Sequence, residues 1–307
     1  MKKVLITGGA GDKGVLLAEA LLKAGAQVTI LDNFIYGYEP ALGFAGDRNC
    51  TVVKKDIRNI TAADVRGFDL IYHLAAISGY PACEANPHSA QTINVVATAA
   101  LTKLLADNQV LVYASTSSIY GKSDQTQDET AKPTPISLYG ATKYEAENIC
   151  MRRKNSVAFR FATLFGVSRK MRCDLLLNDF VYKAVYDRSI VLFDAHSKRA
   201  FLHVKDAIQA YMMAYERPDD FVGQIYNVGD KKMIYSKLDL AKKIQEHCKN
   251  IEIIQTKLMD PDERNILISF DKLGQHGFKP TMSVDEGIEE LIKLYSWYQT
   301  FASYRTI

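Results

Sequence analysis

Between Lys3 and Asp32 an apolar run, "KVLIT", passes through the glycine-rich turn "GGAGDKG" into an amphipathic stretch. A second apolar run, "QVTILD", then ends on an acid. A strand that turns straight into a helix and then into another strand makes a crossover unit, whose two strands lie parallel. The helix is expected from about Gly11 to Ala24, with Val15, Leu16, Leu17, Ala20 and Leu21 facing inward. The alternation continues: "TVVKKD", "FDLIYHLA", "QVLVYAS" and "SVAFRFA" read as strands, and His88 to Asp107 and Tyr139 to Arg153 as helices. Strands this continuously apolar belong in a parallel sheet covered on both faces, so the sequence predicts an α/β, doubly wound fold.

After Gly166 the alternation loosens. Helices are expected near Cys173 to Asp187, Val204 to Glu216, Lys237 to His247 and Val284 to Trp297, with strands at "SIVLF" and "QIYNVG". This divides the chain into a sheet domain over 1–167, to which about 196–230 returns, and a smaller, mainly substrate-binding region over 168–307.

The 307 residues are 48% apolar and 24% charged, with a net charge of +3 and no basic tract, so small-molecule chemistry is expected in place of nucleic-acid binding. Five cysteines without a CxxC pair read as reduced thiols of a cytoplasmic protein, not as staples or a metal site. "MKKVLITGG" reads as a first strand rather than a signal peptide, and no apolar run is long enough for a membrane span.

Gly8, Gly11 and Gly14 lie between a strand and a helix, where a dinucleotide's pyrophosphate would meet free N–H groups and the positive helix end. Glycine spacing alone also fits a plain tight turn. Asp32, closing the second strand, favours the nucleotide: its carboxylate suits the ribose hydroxyls of NAD and repels the extra phosphate of NADP. Asp12 sits awkwardly in such a loop. A carboxylate about 6–8 Å from a phosphate costs about 2–3 kcal/mol at an effective dielectric of about 20. A first-turn acid gains only about 0.3–1 kcal/mol from the helix dipole. Asp12 is therefore predicted to point to solvent, with Lys13 offsetting its charge.

"SLYGATKYEAE" places Tyr139 and Lys143 four apart on one helix face. A nearby ammonium lowers a phenol's pKa and fits it for proton abstraction. "YASTSSIYG" ends the fifth strand in hydroxyls, Ser115 to Ser118, where parallel sheets bind ligands; most read as turn hydroxyls, one as a holder of a substrate hydroxyl.

In this order, the loop, Asp32, "KKDIRN", "YHLAA", "INVVAT", "STSSIYG", YxxxK and "KRAFLHVKD" resemble the extended short-chain dehydrogenase/reductase family across essentially the whole chain. The resemblance implies a Rossmann-type sheet with a smaller C-terminal substrate domain, and chemistry on nucleotide-activated sugars with NAD. It implies that Thr116, Tyr139 and Lys143 are catalytic. It places Gly8, Gly11, Asp12, Lys13, Gly14, Asp32, Asn33, Asp56, Ile57, Leu74, Ala75, Ala76 and Asn94 at the cofactor, and Ser117, Arg172, Asn178, Arg199 and Arg264 at the substrate. It also implies a homodimer through the two long helices, with Leu101, Leu104 and Leu105 fitting that seam or the core equally.

Asp12 and Lys13 depart from the family's usual apolar or aromatic pair, and Ala200 from an aspartate. Ser117 and Ser118 stand where the family's 4,6-dehydratases carry Asp-Glu, which speaks against water elimination. "FRFATLFGVSRKMRCDLLLNDFVYKAVYDRSIVLF" is similar to a bacterial branch containing capsule-sugar epimerases and a GDP-heptose 4-dehydrogenase. Three readings stand: a nucleotide-sugar 4-epimerase, favoured by family frequency; a 4-dehydrogenase releasing a ketosugar; and a non-catalytic NAD-binding protein.

Overall fold

The computed structural model describes residues 1–258 and 265–299. In chain order its strands are β1 (Lys3–Thr7), β2 (Gln27–Asp32), β3 (Cys50–Lys54), β4 (Leu70–His73), β5 (Val110–Thr116), β6 (Ser123–Gln127) and β7 (Ser156–Phe161). There follow β8 (Thr163–Phe165), β9 (Ser189–Leu192), β10 (Lys198–His203), β11 (Ile225–Val228), β12 (Ile234–Ser236), β13 (Glu252–Gln255) and β14 (Ile266–Ile268). Seven of them form one parallel sheet, ordered β11-β7-β5-β4-β1-β2-β3. The order reverses between β1 and β4, and that switch point opens the crevice in which doubly wound sheets bind ligands.

Alternate residues of each strand feed two cores. Val4, Ile6, Tyr72, Val112 and Phe159 pack with Val15, Leu17 and Leu21 of the first helix (Asp12–Lys23) and with Tyr211 of the helix Val204–Glu216. Leu5, Ile71, Leu111, Tyr113 and Ala158 pack with Leu101, Leu105, Ala146 and Cys150. Leu101 and Leu105 are therefore consumed by the protein's own core, not left for a dimer seam, because the helix Ala97–Leu104 lies directly on the sheet. On the first helix Ala18 is fully buried, while Leu16 and Ala20 are only half-buried.

β11 joins the large sheet beside β7, whereas β10 pairs with β8 and β12 in a small three-stranded sheet. β9 pairs with β13, and β6 with β14. The helices Lys237–His247 and Val284–Tyr295 each start on a serine whose side chain and an acid three residues on cap one another. All five cysteines are free thiols. Among the described residues no helix is long and apolar enough to cross a membrane.

Behind the end of β5 lies a buried ion pair. Arg160 of β7 donates through Nη2 to Glu147 Oε1 at 2.6 Å, with side chains only 3% and 1% exposed. Arg160 Nε adds a 3.0 Å bond to Oε2 of the same carboxylate, and Ser115 Oγ donates to Oε2 at 2.6 Å. Arg160 Nη1 donates to the Tyr120 hydroxyl at 2.8 Å, which itself donates to Asn227 Oδ1 at 2.7 Å. Removing one member strands the other's charge. Arg160→Met is expected to cost about 3–5 kcal/mol in urea unfolding; a loss within about 0.5 kcal/mol, as for an ordinary surface change, would show that the pair does not hold the fold.

Candidate active site

A cavity of about 220 Å³ opens at the C-terminal ends of β1, β4, β5 and β7. Gly8, Gly11, Asp12, Lys13 and Gly14 form one wall, and Leu74, Ala76, Ser78 and Gly79 another. Thr116, Ser117, Ser118, Tyr139, Phe161 and Thr163 line the cavity as well, as do Tyr36, Lys170 and Arg172.

The loop is tight by construction. Gly8 has φ of +69°, and a Cβ there would lie 2.6 Å from the Ala75 nitrogen; one on Gly14 would lie 2.5 Å from the Gly8 carbonyl oxygen. Gly11 caps the first helix and has no side chain to satisfy its first-turn N–H groups, so these are presented towards the cavity. Asp32 holds the loop from below: its carboxylate accepts from Ala10 N–H at 3.0 Å and Phe34 N–H at 2.8 Å. Burial pushes the Asp32 carboxyl up, and these backbone donors oppose the shift. A small-residue turn, an uncapped helix start and a strand-end carboxylate are the parts a dinucleotide requires.

Asn33 and Asp56 stand next to Asp32, outside the cavity lining. Asn33 Nδ2 approaches Asp56 at 3.4 Å, and Arg58 grips Asp56 with a fork at 2.7 and 2.9 Å that lowers its pKa to about 2. Ile57 is buried beside it. Asn94 sits in one wide π-helical turn (Thr92–Val96), bonds both backbone groups of Ile77, and donates to Thr142 at 3.1 Å. It ties the loop after β4 to the helix Leu138–Met151, which carries Tyr139.

At the chemical end, Thr116 Oγ1 donates to Ser118 Oγ at 3.1 Å and accepts from Ser118 N–H at 3.2 Å. Tyr139 is half-buried and lines the same cavity. Lys143 lies one turn deeper, 4% exposed, with its ammonium 4.2 Å from the centroid of the Tyr113 ring. Burial, then the nearby Lys13, brings its pKa down to about 7. His73 bridges Thr7 and Thr98 through its two nitrogens at 2.7 and 2.8 Å; burial lowers its pKa to about 3, so it is neutral.

Asp12 does not turn to solvent. It lines the cavity, and Ser168 Oγ donates to its backbone carbonyl at 2.8 Å. Burial raises its pKa, while Arg172 most strongly, then Lys13 and the Ser168 hydroxyl, pull it back. The reason is the segment after β8, invisible to a local reading of the loop: it carries Ser168 and Arg172 across the helix start. Lys13 does offset Asp12, though less than Arg172 does.

Arg172 forks onto Asp174 at 2.7 and 2.6 Å and lines the cavity. Asn178 is fully buried away from the cavity lining, its amide committed to Gly166 and the Arg172 carbonyl. Arg199 is buried on β10 opposite Tyr235 and also lies off the lining. Arg264 lies outside the described residues. Tyr36, Ser78, Thr163 and Lys170 line the cavity without having been expected there. Only Lys170 had a sequence signal, the basic cluster "SRKMR".

The sequence signature described as "NAD dependent epimerase/dehydratase family" matches residues 4–229. An uncharacterised UDP-glucose epimerase of Bacillus subtilis is 28% identical, covering 97% of this chain and 99% of its own. UDP-glucuronic acid decarboxylase 1 of Danio rerio is 27% identical over 96% of this chain and 73% of its own. The crystal structure of a UDP-glucuronic acid 4-epimerase from Bacillus cereus, in complex with UDP-glucuronic acid and NAD, superposes with a TM-score of 0.85 at 24% identity. It covers 96% of this chain and 99% of that one, a likeness of fold.

Lys143 also leaves a mark on stability. The unfolded chain keeps its proton up to about pH 10.5, the folded one only up to about 7, so the unfolded state binds more protons in that window. Stability should therefore rise as pH rises from about 7 towards 10. In Lys143→Met the gain between pH 7.5 and 9.5, read from urea midpoints, should shrink by on the order of 1–3 kcal/mol. An undiminished gain would place the titration elsewhere.

Proposed function

The chain belongs to the NAD dependent epimerase/dehydratase family, and from that premise we propose that it inverts C4 of a nucleotide-diphosphate sugar. The observation that carries this reading is that one cavity is lined at once by the glycine loop, the Thr116–Ser118 hydroxyls and Tyr139, with Lys143 a helical turn behind. The nucleotide-sugar relatives support it.

Bound NAD would supply an acceptor for the C4 hydride and a donor for its return. Gly8, Gly11 and Gly14 hold it by backbone, and Asp32 takes its ribose hydroxyls. Tyr139, as phenolate, removes the proton of the C4 hydroxyl, and Thr116 orients that hydroxyl. Lys143 in its charged form favours the phenolate electrostatically, and Tyr139 hands the proton back to the C4 oxygen when the hydride returns. Ser117 and Ser118 bind sugar hydroxyls; neither is the acid or base that water elimination requires, so a 4,6-dehydratase is the poorer reading. Arg172, in the cavity lining, receives the substrate's diphosphate. Arg199 and Arg264 are assigned to the same diphosphate by resemblance.

A panel of UDP-, GDP-, CDP- and dTDP-sugars tests this, with the reduced-nicotinamide absorbance and the product stereochemistry followed together. An isomerised sugar without net reduction is expected. Stable reduction with a released ketosugar would make the protein a 4-dehydrogenase instead. Tyr139→Phe should lower turnover by about 10²–10⁴-fold with cofactor retained, and normal turnover would take the tyrosine out of the mechanism. The protein is further read as a homodimer through the helices Ala97–Leu104 and Leu138–Met151, supported by Val96, which is 56% exposed just before the first of them. Light scattering that gives a monomer mass would end that reading.

A further inference from the structure

The segment 166–175, between β8 and the helix Leu176–Tyr186, lies far in sequence from the glycine turn, yet three successive residues of it fasten to that end of the molecule. Ser168 Oγ donates to the Asp12 carbonyl at 2.8 Å, at the start of the first helix. Arg169 Nε pairs with Glu19 Oε1 at 2.8 Å, two turns along the same helix. The Arg169 guanidinium also lies 5.7 Å from the centroid of the Phe44 ring and packs against Gly43, leaving no room there for a Cβ. Lys170 Nζ stands 4.8 Å from the centroid of the Tyr36 ring. Tyr36, Gly43 and Phe44 all belong to the loop that follows Asp32. Tyr36 and Lys170 line the cavity, whereas Arg169, Glu19, Gly43 and Phe44 stay outside it.

We propose that Ser168, Arg169 and Lys170 form a clasp that retains the dinucleotide, tying the helix that starts at the glycine turn to the loop that follows Asp32. Those two elements carry the groups that hold NAD, the turn's backbone on one and the Asp32 carboxylate at the foot of the other. Movement of one away from the other opens the site, and the clasp opposes it at four points. Each contact is weak alone, since a half-exposed ion pair or a cation–π contact changes an equilibrium only a few-fold. Ser168 and Lys170 are buried, so the backbone between them is anchored on both sides of Arg169 and its contacts act together. Arg169 and Glu19 touch no part of the cavity, so any effect they have on the cofactor passes through the clasp. Retention has a chemical consequence, which rests on the C4-inversion reading: the dinucleotide that takes the hydride must stay to give it back. Retention itself requires only that NAD binds in this cavity.

The test is the release rate of NADH from loaded protein, chased with excess ADP-ribose and followed by loss of nicotinamide fluorescence. Arg169→Met should speed release by about 3–10-fold and leave the association rate within about two-fold of wild type. Arg169→Lys, which keeps a charge for Glu19, should restore most of the retention. Glu19→Gln should also speed release, and combining it with Arg169→Met should add little, as for paired residues. Urea midpoints near wild type in these variants separate retention from folding. Release unchanged in both Arg169→Met and Glu19→Gln would overturn the proposal. Release hastened by Lys170→Met but not by Arg169→Met or Tyr36→Leu would make Lys170 a direct phosphate ligand and overturn it as well. A stable ketosugar from the wild type would end the C4-inversion reading, while the release rates would still decide whether the clasp exists.

Discussion

The Glu147–Arg160 pair is the constraint on which the rest of the site hangs. Charges this deeply buried persist only when every lone pair and proton has a partner in good geometry. Here the partners come from different elements: Ser115 from β5, Arg160 from β7, Tyr120 from the turn that follows Thr116, Asn227 from β11, and Glu147 from the helix that carries Tyr139. Satisfying the pair therefore sets that helix against the strand ends in one arrangement. Thr116 follows Ser115 directly, and Tyr139 lies two turns before Glu147, so the hydroxyl and the phenol inherit their relative position from a network neither belongs to.

In front of the network the site gathers several cationic side chains. Lys143 and Lys13 both sit in surroundings that disfavour their protons, while His73 is locked neutral between two threonine hydroxyls. The carboxylate that would seem to spoil a pyrophosphate loop, Asp12, lies in the cavity lining beside Lys13. There the Arg172 guanidinium, itself held by Asp174, offsets it. In this chain the departure is absorbed by the segment after β8, whose Ser168 fastens to the helix start and whose Arg169 reaches Glu19 at 2.8 Å.

Much of the architecture was legible because it rests on local pattern. Apolar runs with no polar alternation could only be buried on both faces, and glycine between strand and helix could only mean a turn whose backbone must approach something closely. The short strands β6, β8, β12, β13 and β14 were not legible, since three to five residues paired across long separations carry no periodic signal of their own. The assignments by resemblance divided the same way. Residues on the loop and strand ends came together, whereas Asn178 spends its amide on the backbone around Gly166 and Arg199 lies off the cavity, because homologous position does not dictate where a polar side chain finds its hydrogen bonds.

By itself, then, the sequence determined the doubly wound sheet, the phosphate-type loop with Asp32 beneath it, and the pairing of Tyr139 with Lys143 on one helix. All of these follow from spacings within a few residues of backbone. Only the tertiary structure decided where Asp12 and Lys13 point, which leucines belong to the core, and how Tyr36, Ser78 and Lys170 reach the cavity. Those outcomes depend on charges and surfaces contributed by segments far away in the chain, and the direction of a side chain is set by the partner it meets there.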